Sequence, residues 1–352
     1  MKIYVNARFL TQPVTGVQRY GIECSRQIKK LCPDTVFLTP KNVLHKDIAN
    51  ELGAKTFGIN TGHKWEQADL PLYLARQKHP PLFNPANTAP LLYSNNYVTV
   101  HDLAFYHHPE WNSKAFSAWY NVLIPRVAIS CRHLFTVSNT MREEIMTYYK
   151  IAPDKISVTY NGIAQQMLEH HVLKPKERII LSVGTFNKRK NHQNLVHAFL
   201  SSSLKDGYQL AMVGDRNKVF SESNLEESDL KNENIKIYEK LGAGELIDIY
   251  ERAEVVVSLS LYEGFGMPVL EGLYYGCKVL CSDIKVYKEL YSEYAEFCDP
   301  LDISGIAKAL EHITKSEAKG SAMREALTEK YDYAASAKVI VETIEKGKSK
   351  KI

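Results

Sequence analysis

The sequence predicts an α/β protein built from two doubly wound parallel sheets. Three observations carry that prediction. Short apolar, β-branched runs alternate with amphipathic helical stretches along all 352 residues, the rhythm of strand–helix repeats. The rhythm breaks at a polar stretch around residues 165–176, which holds Pro175, and then restarts. A chain of this length with 45% hydrophobic residues can fill two cores.

Taken in order, the apolar runs place strands at 2–6, 35–38, 56–59, 81–84, 97–100, 133–137 and 156–159. Helical stretches between them cover 17–31, 64–77, 114–131 and 139–150. After the break come strands at 178–183, 208–213, 235–238, 254–259, 278–281 and 295–298, with helices at 192–202 and 244–252, one opening near Met267, and two or three at the end. Residues 216–234 read as an exposed polar loop, and the tail KGKSKKI as too short and polar to pack. The expected domains are 1–165 and 178–330, followed by a closing helix over 331–352. Two such halves would bind a ligand in the crevice outside their strand C-termini.

Bulk properties narrow the function. No apolar run approaches the ~20 residues needed to cross a bilayer. The opening MKIYVNARFL is a strand pattern without the apolar stretch of a signal peptide. Cys24, Cys32, Cys131, Cys277, Cys281 and Cys298 form no CxxC pair, so reduced, buried thiols in a cytoplasmic protein are expected. Residues 1–165 carry 18 Lys/Arg against 11 Asp/Glu, while 166–352 carry 26 against 29. A basic first half points to an anionic surface or substrate. No Arg/Lys stripe interleaved with aromatics is present, so a bilayer face or a pyrophosphate-linked lipid is the expected partner, and nucleic acid is not.

The run EGFGMPVLE holds two carboxylates, Glu263 and Glu271, eight positions apart around a glycine-rich turn. EVVVSLS just before it reads as a buried strand, and Pro268 suits the first turn of a following helix. A strand, a glycine turn and a helix N-terminus together make a site for an anion, most often phosphate. Glu271, one turn in, is placed to accept hydrogen bonds from sugar hydroxyls. Glu263, at the mouth of the loop, is placed to touch a second polyol.

This motif resembles the signature of retaining glycosyltransferases of family 4. So do TGVQRY (15–20), VTVHDL (98–103), FTVSN (135–139), YNGI (160–163) and SVGTFNKRKN (182–191), in the family's order. The resemblance spans nearly the whole chain. It implies a GT-B fold of two Rossmann-like domains facing across a cleft, the first for acceptor and the second for nucleotide sugar, with the last helix returning to the first. It also implies a ribose contact for Glu271, a place near the donor sugar for Glu263, and a sugar contact for His101. Further donor-binding positions are Gly16, Gly184, Thr185, Lys190, Gly264, Phe265, Gly266, Met267 and Pro268.

Transfer from a nucleoside diphosphate must stabilise a dianionic leaving group. No DxD motif stands in a suitable loop, so no metal and no cofactor are expected. The basic run Lys188-Arg189-Lys190 would neutralise the phosphate instead. The family usually has Arg directly after the glycine of this segment, where this chain has Thr185. Arg189 is the candidate replacement. Asp102 is expected to hold the loop or the imidazole tautomer, and Asn139 to cap a helix. The segment 105–126, rich in aromatics and bases, is either a packed helix or a surface that dips into lipid headgroups.

The reading is a cytoplasmic hexosyltransferase of the polysaccharide-building branch, peripheral at the inner face of the membrane. It would move mannose from GDP-mannose to a lipid-linked saccharide, as in lipopolysaccharide O-antigen biosynthesis. Two rivals are a nucleotide-sugar 2-epimerase on the same scaffold and a non-catalytic nucleotide-sugar-binding protein. A nicotinamide dehydrogenase is disfavoured, because no GxGxxG follows the first strand.

Overall fold

The computed structural model describes residues 2–169, 174–214, 225, 231–239, 241–317 and 321–349. The chain forms two compact units, residues 1–161 with 331–352, and residues 162–330. The division falls ahead of the polar stretch at 165–176, and Gln165–Glu169 within that stretch is a short helix.

Unit one carries β1 (Tyr4–Asn6), β2 (Val36–Thr39), β3 (Lys55–Thr56), β4 (Leu82–Asn84), β5 (Asn96–Val100), β6 (His133–Thr136) and β7 (Ile156–Val158). They form one parallel sheet in the order β3-β2-β1-β4-β5-β6-β7. Unit two carries β8 (Glu177–Val183), β9 (Gln209–Val213), β10 (Ile235–Tyr238), β11 (Ala253–Ser258), β12 (Lys278–Ser282) and β13 (Glu296–Cys298). Its sheet is also parallel, ordered β10-β9-β8-β11-β12-β13. The central strands are buried on both faces, as helix-covered parallel strands must be, and hence read as continuous apolar runs. Each sheet starts in its middle and winds both ways. The winding reverses between β1 and β4 in unit one and between β8 and β11 in unit two. At such a switch point the loops leave the strand C-termini in opposite directions and open a crevice for ligand.

The closing helix, Tyr333–Ser349, packs on the helix Gly16–Leu31 of unit one. Ser336 Oγ donates to the Tyr160 carbonyl at 2.8 Å. This helix runs into the tail that its polarity marked as unpacked. The helix expected at 64–77 is broken into a turn at Gly62–Lys64, a π-helical segment Trp65–Asp69, and Leu70–Arg76. Pro71 has no N–H to give the carbonyl four residues back, and the widened turn before it bonds the Leu70 N–H to the Trp65 carbonyl instead. Short helices at Lys46–Leu52, Ala104–His107 and Lys285–Tyr291 are too brief to show a period in sequence. Most of the loop expected at 216–234 lies outside the described residues. All six cysteines are free and buried, and burial pushes the Cys131 and Cys298 thiols up to about 12. Among the described residues no helix is long and apolar enough to cross a membrane.

Candidate active site

In unit two, β11 runs into the loop that carries EGFGMP and then into the helix Met267–Tyr274. Gly266 is the residue before the helix, with φ +93°, and a Cβ there would collide with the Tyr287 ring. Only glycine satisfies both conditions. Pro268 sits in the first helical turn, where it loses no hydrogen bond. Phe265 was expected to contact the donor. Its side chain is buried and packs edge-on against Tyr291, with ring centroids 6.1 Å apart. It anchors the turn from inside.

Glu263 also departs from expectation. It does not stand at the loop's mouth; its side chain is 9% exposed, between two cations. Lys190 Nζ lies 2.6 Å from Oε1, and Arg189 Nη1 lies 2.7 Å from Oε2. Burial pushes the carboxyl up, but Arg189 and Lys190 outweigh it and hold the group at about 2. The cations reach it because the turn Lys188–Lys190 is stitched to the same loop. The Leu261 N–H donates to the Arg189 carbonyl at 2.8 Å, and Arg189 Nη1 donates to the Tyr262 carbonyl at 3.1 Å. Asn187 opens that turn by accepting from the Lys190 N–H at 3.2 Å. Thr185 is exposed and its hydroxyl accepts from Asn187 Nδ2 at 3.1 Å, so its observed contact braces the turn. A Cβ at Gly184 would come within 3.1 Å of Lys190 Cε, so glycine lets the lysine lie across the strand end. The cluster joins two cations to one carboxylate. It lies at the C-terminal ends of β8 and β11, the switch point of its sheet.

Glu271 is buried one turn into the helix and accepts from the Tyr250 hydroxyl at 2.7 Å. No pattern in the sequence links residues 250 and 271. In unit one, His101 follows β5 and is buried. Its Nε2 lies 2.7 Å from the Pro85 carbonyl, which can only accept, so that nitrogen carries the proton and Nδ1 is an acceptor. Burial lowers its pKa, partly opposed by the Pro85 bond and by Asp102, which favours a neutral ring. Pro85, not Asp102, fixes the tautomer; Asp102 accepts from the Ala104 N–H at 3.1 Å and holds the loop. Gly16 begins the helix Gly16–Leu31, and Tyr20 on that helix stands edge-on to the His101 ring at 4.8 Å. Ser138, not Asn139, caps the helix Asn139–Tyr149, by accepting from the Met141 N–H at 3.2 Å.

The model for glycosyl transferases group 1 matches residues 165–330, and that for Glycosyltransferase Family 4 matches residues 89–166. The chain belongs to glycosyltransferase family 4. The O-antigen chain mannosyltransferase RfbU of Salmonella typhimurium is 29% identical over 230 residues, 64% of this chain and 63% of that protein. O-antigen chain mannosyltransferase B of Escherichia coli is 26% identical over 62% of this chain and 60% of its own length. The matches thus span less than two thirds of these relatives. Among solved structures, Anabaena HepE in complex with UDP-glucose superposes with a TM-score of 0.74 at 13% identity, covering 98% of this chain and 99% of that one. The glycosyltransferase from Rickettsia africae superposes with a TM-score of 0.70 at 16% identity, covering 98% of each. These likenesses fix the fold of this family 4 member as GT-B, two Rossmann-like units. The group 1 match contains the whole Glu263 cluster and Glu271, and the family 4 match contains His101.

Proposed function

We propose that this chain is a retaining, metal-independent hexosyltransferase that moves mannose from GDP-mannose onto a lipid-carried saccharide of a bacterial surface polysaccharide. The observation that carries this reading is the Glu263–Arg189–Lys190 cluster at the switch point of unit two. Glu263 holds two cations in fixed positions, and these, with the N-terminus of the helix Met267–Tyr274, meet the charge of a departing diphosphate. In this scheme the bond from the sugar C1 to the phosphate oxygen breaks as the bond to the acceptor oxygen forms on the same face. The acceptor's proton passes to the phosphate. Glu271 accepts from the ribose hydroxyls, and the neutral His101 accepts at Nδ1 from a sugar hydroxyl. Mannose is favoured because both O-antigen relatives are named mannosyltransferases.

A panel of nucleotide sugars, followed by thermal shift and by acceptor-free hydrolysis, tests the reading. GDP-mannose should stabilise the protein most, Glu271→Ala should weaken that stabilisation, and activity should survive exhaustive chelation. Activity that returns only with added manganese or magnesium would refute metal independence. Conversion of the donor to a second nucleotide sugar would instead indicate the 2-epimerase.

Peripheral contact with an anionic bilayer belongs to the same reading. The helix Lys114–Ser130 buries Ser117, Leu123, Ile124, Val127 and Ala128 but leaves Phe116, Val122 and Ile129 exposed, beside Arg126. From residue 111 to 142 the chain holds four Lys/Arg and no carboxylate. Apolar and basic groups on one helix face suit a headgroup layer. The protein should float with vesicles rich in phosphatidylglycerol at low salt, and Val122→Asp with Ile129→Asp should abolish flotation.

A further inference from the structure

The switch point of unit one holds a second buried carboxylate that none of the chemistry above uses. Glu66 is 1% exposed and lies in the π-helical segment Trp65–Asp69. Its Oε1 accepts from Asn6 Nδ2 at 2.8 Å, from Thr88 Oγ1 at 3.0 Å and from Arg8 Nε at 3.2 Å. Arg8 Nη2 in turn donates to Thr88 Oγ1 at 2.9 Å. Asn6 ends β1 and Asn84 ends β4, and Asn6 Nδ2 also reaches Asn84 Oδ1 at 3.0 Å. The cluster therefore lies where β1 and β4 diverge. Burial pushes the Glu66 carboxyl up, but Arg8 and His63 overcome it and hold it ionised, at about 2.

A buried ion pair is weak evidence for stability, since an apolar packing of equal volume does as well or better. Its surroundings point to a task. Glu66 Oε2 lies 3.3 Å from His63 Nδ1, which orients the imidazole and leaves Nε2 to a hydroxyl. The His63 side chain is 33% exposed. Beside it stands Trp119, 37% exposed, with ring centroids 6.1 Å apart, and on another side Tyr120 at 5.9 Å and 87°. Pyranose rings are held by this combination, an aromatic face against their C–H bonds and an oriented polar group on their hydroxyls. π-helical turns are rare and frequently stand at functional sites.

We propose that His63 and Trp119 form a saccharide-binding site in unit one, positioned by Glu66 and Arg8, that takes the terminal sugar of the acceptor. The assignment to the acceptor rests on the transferase reading; the binding of a saccharide does not. His63 and Trp119 touch the sugar, whereas Glu66 and Arg8 act through them.

Saturation-transfer NMR on the full chain, with methyl α-D-mannoside, methyl α-D-galactoside and methyl N-acetyl-β-D-glucosaminide as probes, tests the site. At least one glycoside should bind. Trp119→Ala and His63→Ala should each weaken it by at least about fivefold, the scale of one aromatic contact, and Trp119→Phe should restore most of it. GDP binding by the same variants, with unchanged melting, shows that they are folded. Wild-type glycoside binding in both alanine variants would overturn the site, as would the absence of binding by the unmodified protein. Failure of the unmodified protein to bind any nucleotide would instead overturn the transferase reading and leave the glycoside result standing.

Discussion

Lys190→Ala is expected to lower sugar transfer by about 10²–10³-fold, the usual loss when one fixed group facing a developing oxyanion is removed. Lys190 is nearly buried and sits 2.6 Å from Glu263, so in the proposed reaction its ammonium has little freedom to reorganise when charge appears on the leaving phosphate. Arg189 has the same partner through its other oxygen, at 2.7 Å. If the guanidinium stands in for the arginine usual at position 185, Arg189→Ala should lose turnover comparably. Full turnover in Arg189→Ala beside a dead Lys190→Ala would remove it from that role. Glu263→Gln does something different, because it leaves two cations without their carboxylate. Breaking a buried pair in this way typically destabilises by about 3–5 kcal/mol, and melting of the variant measures it.

The same cluster sets an acid limit. The folded Glu263 carboxyl titrates at about 2, against an ordinary value of 4.5. A carboxyl depressed by folding contributes stability that is fully present above its unfolded value and is lost as pH falls through the folded one. The gap corresponds to roughly 3 kcal/mol. Glu66 in unit one has the same gap. Both units should therefore weaken between pH ~4.5 and ~2, and Glu263→Gln should flatten that dependence in unit two. Urea midpoints at pH 7, 4 and 3 provide the comparison.

How much of this was legible in the sequence depends on the range of the interaction. β11 and its glycine turn are local: a buried parallel strand must be apolar throughout, and a tight turn into a helix must use residues such as Gly266 and Pro268. Parallel order followed from the strand–helix rhythm. What stayed hidden is long-range. Glu263 meets Lys190 across 73 residues, so nothing local says that the carboxylate is buried and clamped. The Tyr250 hydroxyl on Glu271 and the Pro85 carbonyl on His101 are likewise products of the folded sheet. Ser138 and Asn139 are both good caps by residue type, and only the backbone of Ser138, extended at φ −158°, selects it. Glu66 falls in a stretch that reads as one continuous helix over 64–77, and the π-helical turn ahead of Pro71 takes it out of that simple helical register.

Gly266→Ala is the substitution expected to harm unit two most for its size. Two separate penalties add. A non-glycine residue held at φ +93° costs about 1–2 kcal/mol in backbone strain. The new methyl would also strike the Tyr287 ring, and overpacking a filled site costs typically 1–3 kcal/mol. Tyr287 has little room to yield, since it is fully buried and its hydroxyl is 2.8 Å from Ser258 Oγ at the end of β11. Gly276 separates the two contributions. It has φ +72° but nothing within 4 Å of an added Cβ, so Gly276→Ala should show the strain alone. The difference in melting between the two alanine variants then measures the collision. Because the displaced backbone is the N-terminus assigned to phosphate in the proposed reaction, Gly266→Ala should also weaken GDP binding by at least about tenfold, and Gly276→Ala should not. Equal effects from the two variants would mean that Tyr287 moves aside and that the turn is not held by that ring.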